Sequence, residues 1–185
     1  MPPMSCNISR NLPQNIRDNA MLPEIHTIIY ASDLGEGSRP AFRTAVQQAI
    51  KHHARIIYLH VVEHSTEIIE EVMDEYLPQQ VNKKHAEQIM QTRKKRIEQR
   101  IHDFLAVELG EQIHQLPFSP EVRVIEGQPD RVVLKTAELC QADLIVMGDR
   151  ESSGLSRIFL GSTVQKVVHH SDIPVLIVPL RKKSG

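Results

Sequence analysis

The chain has 185 residues, 41% of them hydrophobic and 24% charged, with a formal net charge of −1. That balance supplies the core of a globular domain. It excludes a global field that would draw in nucleic acid or an anionic membrane, and no apolar run reaches the ~20 residues that span a bilayer.

The leader, residues 1–23, is rich in Asn, Pro and Arg and has no apolar central stretch. It is expected to be a surface-lying tail rather than a secretory signal. The first strand is expected over Ile25 to Ala31 (IHTIIYA). A helix follows, with Ser38 as its cap and Pro40 in its first turn. Its apolar side is Ala41, Phe42, Ala45, Val46, Ala49 and Ile50. Arg55 to Val62 (RIIYLHVV) is the second strand.

Residues 64–81 interrupt the pattern and contain Pro78. They are expected to be an insertion with a short extra helix from Thr66 to Leu77. A longer helix from about Asn82 to Leu109 carries the stripe Ala86, Ile89, Met90, Ile97, Ile101, Phe104 and Leu105. Its basic residues, Lys83 to Arg100, alternate with Glu87 and Glu98 and suit a solvated face. Glu121 to Glu126 (EVRVIE) is the third strand, followed by a helix that buries Val133, Thr136, Ala137 and Cys140. Asp143 to Met147 (DLIVM) is the fourth strand. The last helix starts at Ser162, with Gln165 as its capping-box partner. Pro174 to Val178 (PVLIV) is the fifth strand, and residues 181–185 form a tail.

Strands and helices alternate throughout, and several strands are near-continuous apolar runs. That pattern specifies one α/β domain over residues 24–180, an open five-stranded parallel sheet with helices on both faces. The cysteines, Cys6 and Cys140, form neither a CxxC nor a Cys/His cluster. No disulfide framework or metal site is expected, which fits a reducing compartment, and Cys140 is read as a small buried apolar residue.

Ligands of such sheets bind beyond the carboxyl ends of the strands. Two loops there have suitable residues. The first runs from Asp33 to Ser38 (DLGEGS). The second starts at Gly148 and ends in Gly161-Ser162-Thr163 at a helix start, where backbone N–H groups and the helix dipole favour an anion. For each loop two readings stay open. Asp33 either meets a ribose or an adenine amino group, or forms a turn with its own backbone. Gly148 and Ser162 either approach a phosphate, or are a strand terminator and an ordinary cap.

Gly148-x-x-Glu151, nine residues, then Gly161-Ser162 resembles the Gly-x2-Gly-x9-Gly-Ser/Thr signature of the ATP-binding universal stress proteins. The stretch DLIVMGDRESSGLSRIFLGSTVQKVVHHSDIPVLIVP is similar to that family's C-terminal third. IIYASDLGEGSRPAFRTA, YLHVVE and VIEGQPDRVVLKTAEL resemble its earlier elements. The resemblance implies a Rossmann-like fold of the adenine nucleotide alpha hydrolase-like type. It also implies a stress-response regulatory protein that binds ATP or AMP, with or without Mg2+. Carried over, Asp33 faces the adenine or ribose beside Ala31 and Ser32, and Val61 walls the base. Met147, Gly148, Gly161, Ser162 and Thr163 surround the ribose and phosphates.

Two residues depart from the family pattern. Ala31 stands where many members have proline, and Glu151 stands where the second glycine belongs. Glu151 disfavours a positive φ and brings a carboxylate towards a polyphosphate, which Arg150 and Arg157 would offset. The competing class is therefore a dimeric interaction module that keeps the fold without nucleotide; a slow ATPase ranks below both, because no general base with a positioned water stands out. The resemblance further implies a homodimer paired through the last strand and a cytoplasmic location.

Overall fold

A computed structural model of the chain describes residues 23–35, 37–63, 79–150 and 160–180, without the side chains of residues 79–86, 112 and 150. The leader except Pro23, the expected helix Thr66 to Leu77, Glu151, Arg157 and the tail lie outside the described residues.

The described elements are β1 (Thr27–Ser32), α1 (Arg39–His52), β2 (Arg55–Val62), α2 (Gln79–Leu109), a 3-10 segment (Gly110–Gln115), β3 (Glu121–Glu126), α3 (Pro129–Leu139), β4 (Leu144–Arg150), α4 (Ser162–His170) and β5 (Val175–Leu180). All strand pairs are parallel, in the order β3-β2-β1-β4-β5. The chain builds one half of the sheet outward from β1, then returns to build the other half through β4. The strand order reverses between β1 and β4, so a crevice opens beyond their carboxyl ends.

Strand parity assigns the two cores, because alternate side chains take opposite faces. Ile28, Tyr30, Ile56, Tyr58, Val124 and Val146 pack with Phe42, Ala45, Ile101 and Leu105 of α1 and α2. Ile29, Ile57, Leu59, Ile145 and Met147 pack with Val133, Ala137, Val164 and Val167 of α3 and α4. On the first face four rings interlock: Tyr30 lies 4.9 Å from Tyr58 and 5.5 Å from Phe42, and Phe42 lies 5.3 Å from Phe104. Offset and edge contacts of this kind add to what area burial alone supplies.

Beneath the rings, polar ties lock the starts of the elements. Asp143 Oδ2 accepts from the backbone N–H of His26 at 2.8 Å and of Thr27 at 2.9 Å. Arg55 donates from Nε to Thr27 Oγ1 and from Nη2 to the Cys140 carbonyl. Glu108, whose side chain is 4% exposed, pairs with Arg39 and Arg43 and so joins the start of α1 to the end of α2.

Several boundaries and caps differ from the expectation. β1 and β5 run on to Ser32 and Leu180, and β4 starts at Leu144 and continues to Arg150. Asp143 precedes β4, and its carboxylate bonds the start of β1. The Ser38 side chain makes no capping bond; its carbonyl instead accepts from the Tyr30 hydroxyl at 3.2 Å. The apolar stripe of α2 buries only towards its end: Ile101 and Leu105 are inside, whereas Ile89 is 55% exposed. Cys140 is buried as expected, with Arg123 donating to its sulfur at 3.0 Å.

Helices α1 and α3 close alike. Ala54 N–H reaches back to the Ala49 carbonyl, and Ala142 N–H to that of Ala137. The residues that make the turn, His53 and Gln141, sit at φ 52° and 49°. A side chain in this left-handed region costs about 1–2 kcal/mol that glycine avoids. His53→Gly is therefore expected to raise unfolding free energy by about 1 kcal/mol in urea titration; an unchanged midpoint would mean that the turn carries no strain.

Candidate functional site

The crevice at the strand reversal is a cleft of about 380 Å³ lined from both halves of the sheet, within the size range of small-ligand sites. From β1 and its loop come Ala31, Ser32 and Asp33, and from β2 Leu59, His60, Val61 and, just past its end, Glu63. From β4 come Met147, Gly148 and Asp149, and from the start of α4 Gly161, Ser162, Thr163 and Val164, with Pro129 and Val133 of α3 closing one side. Of the expected site residues, Ala31, Ser32, Asp33, Val61, Met147, Gly148, Gly161, Ser162 and Thr163 all line this one cleft. Arg150 ends β4 beside them, and its side chain is not described.

The local chemistry refines each role. Asp33 Oδ1 accepts from Gly35 N–H at 2.9 Å, so the turn-forming reading of this residue holds while the residue also lines the cleft. The turn is tight: Leu34 takes φ 57°, and its N–H donates to Ser32 Oγ at 3.2 Å. Gly148 does not end its strand, as expected from sequence; it pairs with Val178 inside β4. A Cβ there would meet Leu180 Cδ1 at 2.6 Å, so its glycine is needed for packing against β5.

Ser162 is not the cap of α4. Gly161 holds that position at φ −54° and ψ 148°, no side-chain cap bond forms, and the expected box with Gln165 is absent. The backbone explains why. The Gly161 carbonyl already accepts from Gln165 N–H at 2.9 Å, which places Ser162 at the first helical position rather than at the cap. Gly161 N–H donates to Asp149 Oδ1 at 3.0 Å. A Cβ on Gly161 would make only an ordinary 3.7 Å contact, with that same oxygen.

Sequence reasoning missed His60, Glu63 and Asp149 as lining residues. The histidine lies two residues after Tyr58 on a strand read as apolar, which gave it the look of core. Its Nδ1 bonds the Ser32 carbonyl at 2.8 Å; a carbonyl only accepts, so Nδ1 carries the proton of the neutral ring. Burial pushes His60 below its ordinary 6.5, against the opposing pull of the Ser32 carbonyl and Asp33. Burial likewise pushes the Tyr58 phenol far up, although its bond to Ser32 Oγ acts the other way.

Between the folded and unfolded values of His60 the unfolded chain binds the proton and the folded chain does not, so acid favours unfolding. The stabilising contribution is complete above about pH 6.5 and declines as pH falls from there towards the lower folded value. Urea midpoints taken from about pH 7.5 down to about pH 5 should fall less steeply in His60→Gln than in the wild type; parallel curves would remove His60 as the cause. Among the described residues no group of three or more His, Cys, Asp or Glu side chains is placed to share a metal ion. No described helix is long and apolar enough to cross a membrane.

An open parallel α/β sheet with a cleft at its strand reversal is the architecture that takes small ligands beyond its strand ends. The family is equally defined. Residues 24–179 match the model of the universal stress protein family, and the chain belongs to that family. A universal stress protein of Thermus aquaticus, encoded in a QAH/OAS sulfhydrylase 3′ region, is 28% identical over 152 residues, covering 82% of this chain and 97% of its own. The universal stress protein MJ0531 of Methanocaldococcus jannaschii is 39% identical over 79 residues, covering 43% of this chain and only 42% of that relative. Among solved structures, the protein MJ0577 superposes with a TM-score of 0.61 at 23% identity, covering 88% of this chain and 100% of its own. A universal stress protein in complex with cAMP superposes at 0.51 with 21% identity, covering 86% of this chain and 100% of its own. At these identities the two structures speak for the fold.

Proposed function

We propose that this universal stress protein binds an adenine nucleotide, ATP or AMP, in the cleft between the ends of β1 and β4, and acts as a regulatory binder without substantial turnover. One observation carries the reading: the residues that the family signature assigns to base, ribose and phosphate line a single cleft. Its wall of Val61, Met147 and Val133 is apolar and suits a flat base, while Asp33, Ser162 and Thr163 add polar groups to the lining. The cAMP complex of a family member is support of the same kind. Mg2+ would accompany the polyphosphate rather than occupy a protein-built site.

Homodimerisation through β5 is part of the proposal, as is a cytoplasmic setting. β5 lies at one edge of the sheet with Val175 to Val178 half-buried, and an apolar edge needs pairing or cover. A second reading is a dimeric interaction module without nucleotide, and the Asp149 carboxylate on Gly161 N–H is the observation that favours it. Calorimetric titration with AMP and Mg-ATP separates the two. Binding in the micromolar range, between about −7 and −9 kcal/mol, is expected; no heat and no rise in melting temperature with either ligand would leave the interaction module standing.

A further inference from the structure

We infer that Asp149 is the residue that sets the charge selectivity of the cleft, holding it for adenine compounds of low charge and against free polyphosphates. The inference rests on the adenine-binding reading above and deepens it.

The geometry is specific. Gly161 is the cap residue of α4, and its N–H is among the backbone donors that would meet a phosphate. That N–H is already bonded to Asp149 Oδ1 at 3.0 Å. A carboxylate oxygen carries the charge and acceptor geometry of a phosphate oxygen, so the protein supplies its own anion at the position a nucleotide's phosphate would take. A polyphosphate must either displace this carboxylate or lie beside it. Asp149 is held in place by β4, where it pairs with Pro179 of β5, so the strand does not carry it out of the way.

Among the described lining residues no Lys or Arg offsets Asp149, and Asp33 and Glu63 add two further carboxylates. Repulsion from these carboxylates therefore rises with each phosphate that a ligand brings. An uncharged nucleoside meets only the apolar wall and the polar rim. The base and ribose end of the cleft is thus separable from the phosphate end, and Asp149 governs only the latter.

The separation gives the test. Adenosine and ATP are titrated into wild type, Asp149→Asn and Asp149→Ser at fixed ionic strength with a chelator present. Asn keeps an acceptor for Gly161 N–H and removes the charge, whereas Ser removes the carboxylate altogether. The expected result is that wild type binds adenosine at least ~10-fold tighter than ATP, a difference of about 1.4 kcal/mol. Both variants should gain at least ~10-fold for ATP relative to adenosine, bringing the ratio near unity. Added Mg2+ should narrow the wild-type ratio and leave the variants' ratios nearly as they were, because the cation neutralises the same phosphates. An ATP-to-adenosine ratio identical in all three proteins overturns the role of Asp149 while the adenine reading stands. Failure of every protein to bind adenosine overturns the adenine reading, and the role of Asp149 with it.

Discussion

Asp143→Ala is expected to lower unfolding free energy by about 2 to 3 kcal/mol. One carboxylate oxygen accepts both the His26 and Thr27 N–H groups, more than a hundred residues away in sequence. Thr27 is fully buried, so its orphaned donor bears a desolvation cost of about 1–3 kcal/mol with no water to replace the lost partner. The His26 N–H, at an exposed position, recovers most of its loss from solvent. Charge assistance adds to the deficit, since bonds to an ionised acceptor are about twice as strong as neutral ones. Asp143→Asn retains an acceptor oxygen and should lose about half as much. Equilibrium urea unfolding of the three proteins is the measurement. A loss under about 0.5 kcal/mol in the alanine variant would show that the strand start is held by the sheet ladder alone.

The fold was legible because strand parity and helix period agree with the burial they predict. Ile57, Leu59 and Val61 alternate with Ile56, Tyr58 and Val62 along β2, and the two sets divide between the two cores. The bounds of β2 and β3 could be read directly, since a turn or a polar run brackets each apolar stretch. The helix ends were less legible. A serine ahead of an apolar periodic run reads as a cap, yet neither side chain makes a capping bond: Ser38 holds the start of α1 through its backbone carbonyl, and Gly161 takes the cap position of α4. Ile89 fits the stripe of α2 yet is exposed among the described residues, because periodicity marks a face and not how far along the helix that face is covered.

The cleft was legible as far as its motif residues go. The Asp33 loop and the Gly161 to Thr163 turn were recognisable through their resemblance to the family signature; residue type alone left turn and cap readings open. His60 and Asp149 were hidden for opposite reasons. The histidine is one polar residue in an apolar strand, and its tie to the Ser32 carbonyl is a long-range contact that no local pattern encodes. Asp149 sat between two motif glycines as an unassigned position. Its importance comes from Gly161, twelve residues on, being folded back within 3.0 Å.

Gly148→Ala is expected to cost about 1–3 kcal/mol, the usual penalty for an added methylene in a packed core, and Gly148→Val more. The sequence suggested a glycine chosen for a turn or for close approach of a phosphate; its φ is not in the left-handed region, so conformation does not demand it. Space does. The new Cβ would lie 2.6 Å from Leu180 Cδ1 and 3.0 Å from Leu180 Cγ. The second of these atoms is the branch point of the side chain, so rotating a methyl away is not enough. Leu180 is itself buried at 6% exposure in the core shared with α1 and α2, and relief must come from moving the end of β5. Leu180→Ala alone should cost about 2–5 kcal/mol through its cavity. In the double variant the alanine methyl at position 148 occupies part of that cavity, so the combined loss should fall short of the sum by at least ~1 kcal/mol. Strict additivity would mean that the clash is absorbed elsewhere. Because Gly148 also lines the cleft, the single variant should weaken AMP binding as well, and the double variant should restore part of it. Stability and binding recovering together would show that β5 and the cleft respond to one contact; recovery of stability alone would place the binding defect on the added methyl itself.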